Sequence, residues 1–107
     1  MENSEQDIRE IQMLEQNMQK ILMQKQAFEM ELSETESAIE EIENSDKSVF
    51  KIIGQMMIET EKSGISEEMK NRKRIIELRL KSLDKQEEIF MKKLEKNREN
   101  LTEKKDK

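Results

Sequence analysis

The sequence predicts a mainly α chain: an antiparallel two-helix coiled-coil hairpin, with one β-hairpin between the helices that joins a β-barrel shared between subunits. Three observations predict it. Two long segments repeat apolar residues every 3.5 positions. Both glycines and a cluster of strand-forming residues fall between those segments. The two segments also carry opposite net charge.

The first helix is expected over about residues 7–43, which contain no Gly or Pro. One series of seam positions is Ile11, Met18, Lys25, Leu32 and Ile39, the a positions of a heptad. The other, at d, is Leu14, Ile21, Phe28, Thr35 and Ile42. Only Lys25 and Thr35 are polar among them, so the strip favours a narrow paired seam over a free amphipathic helix. The run Asn44-Ser45-Asp46 supplies the stop.

The connecting stretch, about 48–61, favours strand through Val49, Phe50, Ile52, Ile53 and Ile58. Gly54-Gln55 fits a two-residue hairpin turn with Gly first. Val49–Ile53 would then pair with Met56–Thr60. Val49, Ile53, Met56 and Ile58 fall on one face, and Phe50, Ile52 and Met57 on the other. An isolated hairpin is marginal in water. Burying these seven side chains would contribute on the order of 10 kcal/mol as an upper bound. The hairpin could fold onto its own coiled coil, but two helices offer little surface to cover two apolar faces. Joining strands of other subunits, so that no edge is left open, is favoured.

The second helix is expected over about residues 67–105. Ser63-Gly64 is read as a break, Ser66 as the cap, and Glu67 and Glu68 as first-turn acids. Its seam is Lys73, Leu80, Glu87, Leu94 and Leu101 at a, with Met69, Ile76, Leu83, Phe90 and Asn97 at d. Residues 1–43 hold 12 acids and 3 bases, whereas residues 66–107 hold 10 acids and 14 bases. Pairing within one chain therefore joins opposite charges, while a parallel homodimer, the alternative, would align like charges. Extending the strand pairing sets Lys25 opposite Leu83 and Ile21 opposite Glu87, so Lys25 and Glu87 can meet diagonally. Towards the chain ends the seam weakens: Leu14 lies near Asn97, and Ser4 and Asp7 continue no apolar strip.

Composition excludes several functions. Of 107 residues, 42% are charged and 33% hydrophobic, against about 25% and 45–50% in globular domains, so a single-core globule is not expected. With no Cys and no His there is no zinc finger, thiol nucleophile or imidazole base. No apolar run is long enough to span a membrane, and the acidic start Met1-Glu2-Asn3-Ser4-Glu5 lacks a signal core. A cytoplasmic chain with no membrane partner is expected. A net charge of −5 argues against nucleic acid as main partner. Lys92-Lys93 and Lys104-Lys105 are interleaved with Glu95, Glu99 and Glu103 without aromatics, as on a solvated face. Glu40-Glu41 and Glu87-Glu88 are neighbours that do not share a helix face, so no catalytic pair is read from them. No phosphate-binding loop is present, and neither an enzyme nor a cofactor is expected.

Val49-Phe50-Lys51-Ile52-Ile53-Gly54-Gln55 and Lys81-Ser82-Leu83-Asp84-Lys85-Gln86-Glu87-Glu88, with Gln24-Lys25-Gln26 and Glu31-Leu32-Ser33-Glu34-Thr35, resemble a beta-class prefoldin subunit, archaeal or its eukaryotic counterpart. One hairpin rather than two fits that class, although Met56-Met57 departs from the branched aliphatics usual there. The resemblance implies an ATP-independent chaperone subunit. It implies a hexamer of two alpha-class and four beta subunits built through the hairpins, with Val49, Phe50, Ile52, Ile53, Gly54, Met56, Met57 and Ile58 in subunit assembly. It also implies that coiled-coil tips hold unfolded client proteins and deliver them to a group II chaperonin.

The residues bear on the same point. Ile8, Met13, Leu22, Met23, Met30, Ile75, Ile89 and Met91 lie off the seam. Scattered exposed apolar residues are normal. Flexible methionine, present nine times, nevertheless suits a grip on varied partners. Helix ends open readily. Opening would expose Ile8, Ile11, Met13, Leu14 and Met18 of the first helix, and Phe90, Met91, Leu94 and Leu101 of the second, as client-binding candidates. The other reading is a structural coiled-coil tether or adaptor with one fixed partner.

Overall fold

A computed structural model describes the backbone of residues 2–106 and the side chains of residues 4–102. The element order is helix, strand, strand, helix: α1 Glu2–Asn44, β1 Val49–Ile53, β2 Met56–Thr60 and α2 Lys62–Asp106. The chain divides into two compact units. One is residues 28–79, holding the β-hairpin and the adjoining helix segments. The other joins residues 1–27 with 80–107.

In the hairpin unit, β1 and β2 pair antiparallel with Val49 opposite Thr60 and Ile53 opposite Met56, the register expected. Gly54 has φ of +61°, and among the described residues no other has positive φ, so Gln55 does not. That combination is the turn with Gly first, whose twist matches the strands. α1 stops at Asn44, where the Asn44-Ser45-Asp46 run is expected to end it. The Ser45 amide bonds back to the Ile42 carbonyl at 3.3 Å. The Lys47 amide donates to Ser45 Oγ at 3.2 Å. No basic residue stands in the last turn of α1. Lys62 of α2 supplies one, donating to the Glu43 and Ser45 carbonyls at 2.8 and 3.1 Å.

The start of α2 corrects the expectation. The helix begins at Lys62, so Ser63 and Gly64 lie inside its first turn and Ser66 is not the cap. The Ile65 amide bonds the Glu61 carbonyl at 3.1 Å, which places the cap at Glu61. A glycine in a first turn disrupts little, because the amides there lack helical partners anyway. α1 also begins earlier than expected, at Glu2 rather than about residue 7.

The seam follows the heptads. All twenty a and d positions read from the sequence are buried or half-buried. In the hairpin unit, Ile76 is 3% exposed and Thr35 is equally buried. The Thr35 hydroxyl donates to the Glu31 carbonyl at 2.7 Å, so this polar seam position satisfies itself within its own helix. In the chain-end unit, Ile21, Leu83 and Leu94 are buried. Ser4 is half-buried and Asp7 buried, so the heptad spacing continues there with polar side chains. The helices run antiparallel, and ion pairs cross between them within each unit. Glu31–Arg72 and Glu43–Lys70 are each 2.9 Å in one unit. Glu15–Arg98 is 3.0 Å in the other.

Candidate functional site

Two surfaces stand out, one in each unit. The first is the hairpin. Phe50, Ile52, Ile53, Met56, Met57 and Ile58 are all exposed, from 41% at Ile58 to 70% at Ile52. Pairing puts Phe50, Ile52 and Met57 on one face, with Ile53, Met56 and Ile58 on the other. Val49, Lys51 and Thr60, at the open end of that second face, are half-buried. Lys51 ties β1 to α2 through the Glu68 carboxylate at 2.8 and 3.0 Å. The hairpin is thus held at its base while both faces and both edges remain open in the single chain. A contiguous, two-sided apolar ribbon with unpaired backbone groups is suited to strand addition.

The second surface lies in the chain-end unit. The Arg98 guanidinium bonds Glu15 at 3.0 Å, and the Asn97 amide bonds Glu10 at 3.1 Å. These contacts bring residues 10–15 of α1 against 97–98 of α2. Ile8, Met13 and Met91 are exposed there. Ile11, Leu14, Met18, Phe90 and Leu101 are half-buried in the seam, and Leu94 is buried. The candidate residues therefore form two sets: three already open to solvent, and six that would reach a partner only if the helices part. The side chains of Lys104 and Lys105 lie outside the described residues.

A polar cluster interrupts the apolar seam in the same unit. Lys25 Nζ lies 2.7 Å from Asp84 Oδ1 and 2.8 Å from Glu87 Oε2. The diagonal meeting of Lys25 and Glu87 expected from the register is present. Both side chains are about three-quarters buried or more, at 20% and 24% exposed, while Asp84 is open. The hydrogen bonds to Asp84 and then Glu87 hold the Lys25 ammonium well above the usual lysine range. Such a cluster specifies which residues face each other, because any slip would leave a charge against apolar neighbours. In the hairpin unit, Lys70 likewise holds the Glu43 carboxyl below the usual carboxylate range.

The off-seam apolar residues Leu22, Met23 and Ile89, and in the hairpin unit Met30 and Ile75, are exposed as read. Leu78 belongs with them at 66% exposed and was missed. Its three-residue spacing from Ile75, away from the seam, is the signal that identifies it. Among the described residues no group of His, Cys, Asp or Glu is arranged to hold a metal ion. Among them, too, no helix is long and apolar enough to cross a membrane.

Comparison with known proteins gives a consistent result. The sequence model of a family described as prefoldin subunit matches residues 5–107. Prefoldin subunit beta of Pyrobaculum calidifontis is 38% identical over 86 residues, covering 78% of this chain and 69% of that protein. Its counterpart from Saccharolobus islandicus is 34% identical over 86 residues, covering 78% and 68%. The crystal structure of the prefoldin beta subunit from Thermococcus strain KS-1 superposes with a TM-score of 0.89 and 27% identity, covering 94% of this chain and 90% of that one.

Proposed function

This chain belongs to the prefoldin subunit family, in its beta class, and from that premise we propose that it holds unfolded proteins at the free ends of its helices without ATP. The family is one of non-enzymatic chaperone subunits that assemble with other prefoldin subunits. In the proposed complex, two alpha-class subunits join four copies of this chain through the hairpins. The complex works in the cytoplasm and passes its clients to a group II chaperonin.

One observation supports the holding role above the rest. Ile8, Met13 and Met91 are open to solvent at the chain ends while the seam beside them is polar at Asp7 and Asn97. A fixed adaptor needs a contiguous apolar patch that stays covered, whereas scattered flexible side chains suit weak contacts with many sequences. Several ends carried on one base would bind jointly through effective concentration, with no nucleotide required.

The test uses the assembled complex. Met13→Ser with Met91→Ser should leave its mass unchanged and reduce its suppression of aggregation for several unrelated unfolded proteins. Equal protection by the variant would move the grip elsewhere. Binding of a single partner, with no protection of others, would favour the tether.

A further inference from the structure

The chain-end unit carries more than an apolar surface. Met13 and Leu14 of α1, with Lys93, Lys96 and Asn97 of α2, line an open cleft of about 330 Å³. Met13 and Leu14 supply its apolar lining. Lys93 and Lys96 stand three residues apart on one helix face and line it as well. Lys93 Nζ lies 5.8 Å from the Phe90 ring centroid, a contact with a ring and not a carboxylate. Among the described residues neither lysine makes an ion pair. Glu10 also lines the cleft, and its carboxylate accepts from the Asn97 amide.

Some of the charges nearby are paired, while among the described residues Glu95 and Glu99 make no ion pair. Arg98 pairs with Glu15, and Lys92 with Glu88 at 3.2 Å. A second cleft, of about 360 Å³, is lined by Asp84, Glu87, Glu88, Met91, Lys92 and Glu95. There Asp84 and Glu87 are held by Lys25, and Glu88 by Lys92. The first cleft thus sets two ammoniums without an ion pair beside apolar Met13 and Leu14, on a chain whose net charge is −5.

A lysine lining such a cleft extends the apolar wall with its methylene stem and offers its head to an anion. Resting on the client-holding reading, we propose that this cleft selects segments of unfolded protein in which an apolar side chain lies within one or two residues of Asp or Glu. The apolar group sits on Met13 and Leu14, and the carboxylate meets Lys93 or Lys96. Neutral and basic segments are still held by the apolar surface, but less tightly. An exposed pair contributes modestly and is screened by salt.

Three labelled peptides with one apolar core and acidic, neutral or basic flanks test this by fluorescence anisotropy on the assembled complex. At low salt the acidic peptide should bind about three- to tenfold tighter than the neutral one. The preference should fade by about 0.5 M salt. Lys93→Gln with Lys96→Gln should erase the preference of acidic over neutral peptide, with the complex mass unchanged and the neutral peptide still bound. Lys93→Arg with Lys96→Arg should keep it. Equal binding of the three peptides, or a preference that survives the glutamine variant, overturns the selectivity and leaves the holding role standing. Failure to bind any peptide, together with failure to protect unfolded proteins, overturns both.

Discussion

Around the β-hairpin, six exposed apolar side chains sit on two adjacent, regularly paired strands, while at the chain ends Ile8, Met13 and Met91 stand exposed among charged neighbours. Exposure is similar in the two places: Met56 and Met57 are 63% and 68% open, and Met13 is 63% open. Arrangement separates them. Period-2 alternation gives the hairpin a fixed face on each side and a row of unpaired backbone groups at each edge, a template that another strand can pair with in register. The chain ends offer flexible thioethers on a helix whose own backbone groups are already paired. A surface that needs geometric matching suits a permanent partner, and one that does not suits changing partners.

The largest effect expected from breaking this contrast lies in the hairpin. Ile53→Asp or Ile58→Asp would place an unpaired charge inside a shared sheet, which costs several kcal/mol. Light scattering should then report small species, with helical circular dichroism retained because the seam is untouched. Normal assembly of either variant would reject the shared sheet.

A smaller effect is expected at the polar cluster of the chain-end unit. Lys25→Met and Glu87→Gln should each lower the melting temperature. The double variant should lose less than the two single losses combined, because the partners left unpaired are removed together. Independent losses would mean that the contact seen here has no energetic weight.

The two glycines sharpen the comparison at the level of about 1 kcal/mol. Gly54→Ala forces an L side chain into positive φ and should destabilise by about 1–2 kcal/mol. Gly64 lies within α2, and an added Cβ would meet nothing within 4 Å. Gly64→Ala should therefore stabilise by about 0.5–1 kcal/mol, measured by thermal unfolding.

Those glycines also mark where sequence was and was not enough. The turn at Gly54 was legible because a two-residue loop between strands admits few conformations. Gly64 was misread as a break because glycine is a weak signal in a first turn, where no helical bond depends on it. The heptads placed every seam residue, including polar Lys25, Thr35, Glu87 and Asn97, because spacing decides which face is covered even where chemistry does not favour it. The same rule applied to Ser4 and Asp7 would have extended α1 to its observed start; their polarity hid it. The cleft lined by Lys93 and Lys96 was not legible. It depends on which residues of α1 stand beside which of α2, and on charges left over once their neighbours have paired.

Methionines in both regions allow the central claim to be tested in one experiment: oxidative footprinting of Met13, Met56, Met57 and Met91 in the free chain, the assembled complex and the complex with an unfolded protein. All four are exposed in the single chain. Assembly should protect Met56 and Met57 and leave Met13 and Met91 as reactive as before, and adding the unfolded protein should then protect Met13 and Met91. Protection of Met13 and Met91 on assembly, with Met56 and Met57 still reactive, would contradict the division of roles between hairpin and chain ends.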